Sequence, residues 1–492
     1  MKSKLKRLNN FIKLVKNYTN GLVSSLSVIR NGDVPQYLEV DPKRYEFNGS
    51  SYIGFYKSLK KEVKKFKLRN IDYEFRELYY LGHTQNNIKE FEFFYNKFSD
   101  SLSVSDVPTD KNNLALCTET VTYRASRSML NKVAPLIACI VLLLNRTRIN
   151  RTVLHYVLQY SYHFIYYYEN FRLNKTILPK VVVFSNDHTP KYLAASKVLK
   201  FFSVKRIYLQ HGFVSELFPK LDFELSILWN EKSKEVYKKV GSEIDDSVVS
   251  LSRENGDAGG KVASASNIGC DNSTIDVIVF PTSLPELKKV NELIELLATK
   301  QYINSIYVKP HPRYTDIDKI SKHAELIDSY DSFGGDFVAI VGNSSIAMEL
   351  SLKGIRVFQN FETDSIGNDY YGFVKNKLTQ EISLLSMAES DSIDIFSEYT
   401  IGRDVINKYC PIRSGHQDKN IRIINEFLIK FLVYSVRGSN KLRTSKVYNS
   451  DSSKYKLIKV MLEDGEKEEI LTELVEHNVI SHDERIVLSN TL

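Results

Sequence analysis

The clearest alternation of apolar and polar segments along the chain begins at Lys180. A β-branched run at 181–184 is followed by a polar turn, an amphipathic stretch at 191–202 and a second apolar run at 207–209. Short β-branched runs predict buried strands, and the longer periodic stretch between them predicts a helix. This segment therefore predicts one βαβ unit, which is the building block of a parallel sheet.

The alternation resumes after a polar interval and continues to about residue 360. Strand-like and helix-like runs follow one another at 275–280, 287–298, 305–310, 336–342, 345–354 and 355–360. Strands that alternate with helices predict a doubly wound sheet. The predicted fold class is therefore α/β, with two Rossmann-like doubly wound domains facing a cleft and extra N-terminal and C-terminal elements.

The composition of the intervening segment predicts where the two domains meet. Residues 241–274 are dominated by Ser, Gly, Asp and Asn, which indicates a polar linker. We expect an N-terminal domain at 1–240, a C-terminal domain at 275–435 and an appendage at 436–492. Within the first domain, 180–235 form the Rossmann-like part and 1–175 remain poorly defined. Apolar segments at 134–144 and 160–168 predict a buried helix and a buried helix or strand, respectively.

Composition and charge exclude several classes of protein. The 492 residues include 67 Lys+Arg and 59 Asp+Glu, for a net charge of +8 that is spread along the chain. The chain has no aromatic-basic RNA motif, so we expect no nucleic-acid partner. Four cysteines without CxxC spacing predict neither a disulfide framework nor a zinc site, which favours a reducing, cytoplasmic setting. No apolar run approaches the roughly 20 residues that cross a bilayer.

The first 16 residues combine positive charge with helical periodicity. Six Lys or Arg side chains surround Leu5, Leu8, Ile12 and Val15, which recur at helical spacing. One interpretation is a helix that lies on an anionic membrane surface, as a peripheral contact. The other interpretation is a basic helix packed on its own domain.

Residues that follow predicted strands carry the candidate chemistry, because open parallel sheets bind ligands at the carboxyl ends of their strands. Lys309, His311 and Arg313 follow one such strand and alternate with two prolines that make the loop rigid. Three donors in one small volume suit a phosphate or diphosphate. The alternative is a basic surface turn without a ligand.

The loop that begins at Gly342 is the second candidate for binding a phosphate-containing ligand. Asn343, Ser344 and Ser345 precede a predicted helix, whose first amides favour an anion. Glu349, one turn later, could accept hydrogen bonds from ribose hydroxyls. We expect this loop and the Lys309 loop to lie on neighbouring strands. A capped helix without a ligand is the alternative for this loop alone.

Polar residues also follow the predicted strands of the N-terminal domain. Asp187 and His188 follow the first predicted strand, and His211 follows the next one. A carboxylate or imidazole can act as a general base that takes the proton of a substrate hydroxyl. All three are candidate catalytic residues, and which of them is the base stays open. Further residues of the same loop are candidates for lining the cleft on the side of a second, acceptor substrate: Gln210, Gly212 and Glu216.

Other nucleotide and metal chemistries lack their motifs. No D-x-D follows a predicted strand, so we predict no metal ion. Neither a G-x-G-x-x-G nor a P-loop motif is present, which disfavours dinucleotide and P-loop chemistry.

Two sequence motifs bring a family into view. K-P-H-P-R at 309–313 and G-N-S-S at 342–345, followed by G-I-R-V-F at 354–358, resemble the HP and SS motifs of bacterial sialyltransferases and polysialyltransferases. Capsule transferases for the related acid Kdo look similar. These are GT-B glycosyltransferases of capsule and lipopolysaccharide biosynthesis. The acidic motif of that family, expected before the HP motif, is not found there.

The resemblance implies a specific reaction. A sugar, sialic acid or Kdo, would pass from a CMP-activated donor to an oligosaccharide or lipid-linked saccharide, with His311 on the donor phosphate and Ser344 and Ser345 on the phosphate or ribose. No cofactor is implied besides this nucleotide-sugar co-substrate. The implied location is cytoplasmic and peripheral on the inner face of the cell membrane.

Other functions remain open at this point. CDP-glycerol or CDP-ribitol polyol-phosphate transferases of the teichoic-acid type also carry HP and S-S signals, and UDP-sugar-using GT-B enzymes share the fold. A hydrolysing UDP-sugar epimerase would need carboxylates clustered at the sugar. A non-catalytic scaffold for anionic polymers would rest on the net charge alone.

Overall fold

The structure of the protein is a computed structural model. It describes residues 2–28, 51–64, 67–69, 77–82, 85–99, 102, 106–108, 122–124, 129–173, 178–251, 274–283, 285–311, 317–333, 337–396, 401, 403–409 and 414–433. Two parallel sheets dominate these residues, and a two-stranded antiparallel ribbon accompanies them. The predicted α/β fold with two doubly wound domains is confirmed. The predicted linker at 241–274 starts too early, because Val248–Ser250 within it form a buried strand of the N-terminal sheet. Residues 252–273 of the predicted linker and the predicted appendage (436–492) lie outside the described residues.

The N-terminal sheet has five parallel strands in the order of the chain, β2-β4-β5-β6-β7. Its strands are largely buried because helices and the core cover both faces, as expected for parallel sheets. The elements of this part of the chain are α1 (Lys2–Ser27), α2 (Tyr52–Lys64), β1 (Lys67–Arg69), β2 (Leu78–Leu81), α3 (Gln85–Lys97), β3 (Thr122–Arg124), α4 (Met129–Leu144), α5 (Arg151–Leu173), β4 (Val181–Phe184), α6 (Pro190–Phe201), β5 (Lys205–Leu209), β6 (Leu225–Leu228), α7 (Glu231–Val240) and β7 (Val248–Ser250).

The C-terminal sheet has six parallel strands in the order β10-β9-β8-β11-β12-β13. Counted within this domain the order is 3-2-1-4-5-6, the Rossmann order, with its switch point between β8 and β11. The elements are β8 (Ile275–Phe280), α8 (Leu287–Ala298), β9 (Ile303–Val308), β10 (Glu325–Leu326), β11 (Phe337–Val341), α9 (Ile346–Leu352), β12 (Arg356–Gln359), β13 (Gln380–Glu381), α10 (Leu384–Glu389) and α11 (Arg403–Tyr409).

The last described helix, α12 (Ser414–Leu428), returns to the N-terminal sheet. Its Ile424 and Leu428 are fully buried against strand residues such as Leu209 and Ile227. The predicted boundary at residue 435 therefore groups this helix with the wrong sheet. The physical reason is that both apolar faces of the N-terminal sheet have to be buried. Helices α1, α4, α5 and α6 cover one face, and the opposite face is covered by α3 and α12.

Helix α1 packs on its own domain along its second half. Leu14, Tyr18 and Leu22 are buried, and the Tyr18 hydroxyl lies 2.7 Å from Ser161 Oγ of α5. Gly21 permits a close approach, since a Cβ there would lie 2.1 Å from the Tyr160 hydroxyl oxygen. The first half behaves differently: its apolar side chains are exposed, Leu5 by 60%, Leu8 by 54% and Ile12 by 55%.

The prediction of two buried apolar segments in this domain is only partly correct. Residues 160–168 form the middle of α5, and Tyr160, Phe164 and Tyr167 are buried there. Residues 134–144 belong to α4, which buries one face and exposes the other, with Leu144 76% exposed. The periodicity of an entirely apolar segment cannot distinguish a buried face from an exposed one. Within the described residues, no helix is both long and apolar enough to cross a bilayer.

Candidate functional site

Asp187 and His188 form a hydrogen-bonded pair at the carboxyl end of β4. The Nδ1 atom of His188 lies 3.1 Å from Asp187 Oδ1. Asn186 stabilises the turn, because its Oδ1 accepts hydrogen bonds from the amides of His188 and Thr189. The Asp187 side chain is 2% exposed and that of His188 is 24% exposed. A buried carboxylate thus orients a solvent-accessible imidazole, an arrangement typical of general bases.

Two buried tyrosines complete the surroundings of Asp187. The hydroxyl of Tyr237 in α7 donates a hydrogen bond to Asp187 Oδ2 and lies 3.2 Å from the Tyr208 hydroxyl. Burial, reinforced by the negative charge of Asp187, raises the pKa of both tyrosines well above the usual value. Both phenols therefore stay protonated, so that Tyr237 acts as a permanent donor to the carboxylate. Tyr237 lies in a helix and not in a loop after a strand, so the sequence pattern gave no signal for its part in the site.

The imidazole of His188 is also fixed by ring contacts. It stacks on Phe218, with ring centroids 4.2 Å apart. The His211 ring, which follows β5, lies parallel to it at 6.2 Å with an interplanar angle of 9°. The structure therefore brings together Asp187, His188 and His211, the three residues predicted from the sequence as candidate bases.

The remaining residues nominated in the loop after β5 have distinct surroundings. Gln210 is buried, and its side chain bridges the loop by donating to the Gly212 carbonyl at 2.9 Å and accepting from the Trp229 amide. Space is open at Gly212, where an added Cβ would meet no atom within 4 Å. Glu216 is an exposed surface residue that forms an ion pair with Lys239 at 3.3 Å. Gln210 thus shapes this loop, whereas Gly212 leaves room beside it.

On the C-terminal side, the Lys309 loop follows β9. The Lys309 amide donates to Val279 O at 3.0 Å, so the loop begins in register with β8. Lys309 and His311 are half-buried at the carboxyl edge of the sheet, and Arg313 lies outside the described residues. The predicted adjacency of this loop to the Gly342 loop is wrong, because β8 lies between β9 and β11. The two loops are therefore about 10 Å apart along the same edge, at two strand spacings.

The Gly342 loop makes a tighter turn than predicted. The Ser344 amide donates to Gly342 O at 3.0 Å, so this amide does not point away from the helix as expected. Ser345 is the N-cap of the seven-residue helix α9, and Ser344 Oγ accepts from the Ile346 amide at 3.4 Å. Glu349 is exposed on α9. The hydroxyls of both serines remain half-buried at the carboxyl edge.

The Asn343 side chain organises the neighbouring loop after β12. Its Nδ2 donates to the carbonyls of Ile366 and Asn368, both at 2.9 Å, and its Oδ1 accepts from the Tyr370 amide. These contacts occupy the amide group of Asn343, which is 4% exposed. Asn343 therefore shapes the site through the 366–370 loop.

Asp364 joins three loops at the switch point and was missed by sequence analysis. Its Oδ2 accepts a hydrogen bond from the backbone N–H of Asn343 at 2.7 Å, and its Oδ1 lies 3.2 Å from Thr282 Oγ1. Burial raises the pKa of Asp364 despite these hydrogen bonds. Its position five residues after β12 was the only available signal in the sequence.

The carboxyl edges of the two sheets face each other. Phe213, which follows β5, packs against two aromatic residues of the C-terminal domain. The centroid of its ring lies 4.7 Å from that of Phe373 and 5.6 Å from that of Tyr409. Ser215 Oγ donates to Tyr370 O at 3.1 Å. After β6, Asn230 Nδ2 donates to Tyr409 O at 3.1 Å. The loops that follow strands in one domain thus contact the loops that follow strands in the other.

Among the described residues, no group of three or more His, Cys, Asp or Glu side chains is arranged to hold a metal ion. The metal independence expected from the sequence stays a prediction.

The fold and the facing edges define a protein with two doubly wound domains and a candidate site where they meet. No protein-family model and no curated protein sequence matches this chain. Among solved structures, it is similar to the calicheamicin glycosyltransferase CalG4 (TM-score 0.41, 9% identity, 73% of this chain and 95% of that one). It is also similar to the lipopolysaccharide outer core galactosyltransferase WaaB (0.35, 11%, 73% and 100%).

A third similar structure is UDP-GlcNAc 2-epimerase from Neisseria meningitidis bound to UDP-GlcNAc, with a TM-score of 0.33, 15% identity, and coverage of 55% of this chain and 82% of that chain. Because these TM-scores are below 0.5, the fold assignment rests on the strand orders of the two sheets.

Proposed function

We propose that the chain is a nucleotide-sugar-dependent glycosyltransferase that joins donor and acceptor between its two facing sheet edges. The observation that carries the proposal is the Asp187–His188 pair at the carboxyl end of β4, in the domain whose carboxyl edge faces the switch point of the C-terminal sheet. Parallel sheets bind ligands at their carboxyl ends, so two facing edges offer two substrate sites with their reactive groups toward each other.

His188 is the general base in this proposal. A carboxylate that accepts from Nδ1–H leaves the lone pair of the neutral imidazole on Nε2. Nε2 takes the proton of the acceptor hydroxyl as its oxygen attacks the anomeric carbon, and the bond from that carbon to the nucleotide phosphate oxygen breaks. Attack from the face opposite the leaving group inverts the anomeric configuration. Asp187 stabilises the imidazolium that forms, and His211 is the second candidate for the same step.

The donor occupies the C-terminal edge. Lys309 and His311 follow β9, beside the switch point at which ligands of Rossmann sheets bind. The positive charge of Lys309 and hydrogen bonds from both side chains stabilise the phosphate as it leaves. Ser344 and Ser345 contribute hydroxyls, and Asp364 with Asn343 holds the loops in shape.

The resemblance of the 309–313 and 342–345 motifs to sialyltransferases and Kdo transferases supports a CMP-linked sialic acid or Kdo as donor. The acceptor would be a saccharide of a bacterial capsule or lipopolysaccharide, free or lipid-linked. We place the reaction in the cytoplasm, at the inner face of the cell membrane.

Ligand-dependent thermal stabilisation separates the donor classes. The melting temperature of the full chain is measured with CMP, CDP and UDP, then with the corresponding activated sugars and with CDP-glycerol, and with GDP as the control. We expect CMP compounds to raise it, because a ligand that binds only the folded state stabilises that state. Stabilisation by CDP-glycerol alone would indicate polyol-phosphate transfer, and no response to any nucleotide would refute the proposal.

Turnover then tests the assignment of the base. With the stabilising donor and a saccharide acceptor, His188→Ala should lower turnover at least about 100-fold while the melting-temperature response to nucleotide persists. An equal loss in His211→Ala with a normal His188→Ala rate would transfer the role to His211.

A further inference from the structure

The α4–α5 corner of the N-terminal domain exposes apolar side chains along one helix face. In α4 these are Leu136, Ile140, Leu143 and Leu144, exposed by 52%, 46%, 57% and 76%. Their spacing of four, three and one residues places them on one side of the helix. Large apolar side chains that are exposed next to one another are typical of an interaction surface.

Arginines adjoin this apolar face in the turn that follows it. Arg146, Arg148 and Arg151 are all exposed within eight residues of Leu144. Residues 120–168 contain six Lys or Arg and no Asp or Glu. An apolar face bordered by cations, without acidic residues in the same stretch of chain, complements an anionic lipid surface.

The backbone fixes the geometry of this corner. Arg146 has a φ of 49°, in the left-handed region that side-chain-bearing residues rarely adopt. The Arg146 amide donates to Leu143 O and the Thr147 amide to Leu142 O, both at 3.0 Å, which ends α4 in a Schellman motif. Glycine would adopt this conformation at lower cost. An arginine is therefore held directly beside the exposed leucines.

Helix α2 adds a further apolar residue to the same corner. The Tyr52 hydroxyl lies 3.5 Å from the Thr147 carbonyl oxygen in the α4–α5 turn. Its neighbour Ile53 is 70% exposed. Ile53 and the exposed α4 residues thus come from two segments that are distant in sequence but meet at one corner.

The corner lies at the end of the domain where the candidate site lies. The Tyr168 ring of α5 packs against Phe201 and Phe202 at the end of α6, with centroids 5.7 and 5.9 Å away. Both helices run from the carboxyl toward the amino edge of the sheet. From that contact back to its start, α5 spans about 25 Å and α6 about 17 Å. The α4–α5 turn therefore projects beyond the carboxyl edge of the sheet.

The exposed residues near the N-terminus lie at the opposite end. Helix α1 runs against α6, with Lys13 Nζ 5.8 Å from the centre of the Phe201 ring. Leu5 and Leu8, which precede Lys13, therefore lie at the amino edge, away from the candidate site. Contact of residues 1–16 with a membrane would orient the site away from the bilayer.

We propose that the α4–α5 corner, defined as Ile53, the four exposed α4 residues and Arg146, Arg148 and Arg151, docks on an anionic lipid bilayer. The apolar side chains enter the headgroup layer and the arginines pair with lipid phosphates. Docking in this orientation holds the carboxyl edge of the N-terminal sheet next to the bilayer. The proposal concerns binding alone and does not depend on the proposed reaction.

The test is vesicle flotation of the full chain. Vesicles of phosphatidylcholine are compared with vesicles that also contain phosphatidylglycerol. We expect binding only to the anionic vesicles and a decrease at high salt. Leu143→Glu/Leu144→Glu should lower the partition coefficient about tenfold or more. The matched control is Leu385→Glu in α10, because Leu385 is 66% exposed and lies in the other domain.

Charge variants test the cationic part of the surface. Arg148→Gln/Arg151→Gln should weaken binding roughly fivefold for each arginine. Lys238→Gln/Lys419→Gln removes two exposed cations elsewhere and should have little effect. All of these residues are exposed, so unchanged melting temperatures should verify that the variants fold.

Several outcomes would overturn the proposal. One is wild-type protein that ignores anionic vesicles, and another is Leu143→Glu/Leu144→Glu that binds them normally. Loss of binding in Leu5→Glu/Leu8→Glu alone would assign the contact to the N-terminal helix. A wild-type dimer that Leu143→Glu/Leu144→Glu converts to a monomer in sedimentation, with vesicle binding unchanged, would show that a second copy covers the surface.

Discussion

Asp187 Oδ1 lies 3.1 Å from His188 Nδ1, and the other oxygen of the same carboxylate accepts from the Tyr237 hydroxyl. A carboxylate held in this way fixes both the orientation and the tautomer of the imidazole. Tyr237 prevents the buried carboxylate from turning away from the ring. The pair therefore works as a unit, and its two members should fail in different ways when replaced.

Asp187→Asn should lower turnover about 100-fold, because the amide can donate to Nδ1 and so favour the tautomer with its proton on Nε2. Steady-state kinetics measures the effect on kcat and KM. His323→Ala, an exposed histidine outside the site, is the control. A lowered melting temperature of Asp187→Asn would indicate a structural defect instead.

His311→Ala should reduce turnover by on the order of 100-fold with folding intact, as expected for the loss of one charge-stabilising donor at the leaving phosphate. Single-turnover rates with bound donor measure the effect on the chemical step. Circular dichroism and melting temperature verify the fold. Near-normal turnover would exclude His311 from donor activation.

Gly342→Ala should destabilise the C-terminal domain by about 1–3 kcal/mol, because overpacking forces neighbours apart. An added Cβ would lie 2.7 Å from Thr282 Cγ2 and 2.9 Å from Asp364 Oδ2. Urea unfolding measures the free energy. Gly367→Ala in the neighbouring loop is the matched control, since a Cβ there meets no atom within 4 Å. Equal stability of the two variants would contradict the packing argument.

His163 should make the protein less stable in acid. Burial, with a smaller effect of the Lys191 charge, lowers the pKa of His163 from 6.5 to about 3 in the folded state. Between these values the unfolded chain binds a proton that the folded chain does not. This contribution to stability is present above pH 6.5 and decreases by about 1.4 kcal/mol per pH unit as the pH falls toward 3.

The measurement is urea unfolding of wild type and His163→Gln at several pH values. The wild type should lose stability more steeply between pH 6.5 and 4 than the variant does. His323→Gln keeps the wild-type slope if His163 is responsible. Parallel slopes for all three proteins would show that other groups govern the acid sensitivity.

Local patterns predicted much of the fold correctly. The runs at 181–184 and 275–280 coincide with β4 and β8, and the stretch at 287–298 coincides with α8. The two strands are short β-branched runs and the helix repeats apolar residues at helical spacing, and each pattern predicts one local structure. The expectation that candidate residues follow strands also held for Asp187, His188 and His211, which lie together at the carboxyl edge of the N-terminal sheet.

Features that depend on contacts between distant segments were not predictable. Tyr237 contacts Asp187 across 50 positions, and Asp364 meets the Asn343 amide across 21. The sheet order that inserts β8 between β9 and β11 is likewise a property of the whole domain. Periodicity describes one segment at a time, so it carries no information about which segments become neighbours.

The return of α12 to the N-terminal sheet has a consequence for how the chain matures. The segment from β8 to α11 is topologically an insertion between β7 and the helix that completes the first domain. The ribosome must therefore synthesise the chain through α12 before the apolar residues Leu209, Ile227 and Val249 are fully covered. Expressing the first 250 residues alone would leave that face covered only in part, by α3, whereas fusing 414–433 after β7 should restore its cover.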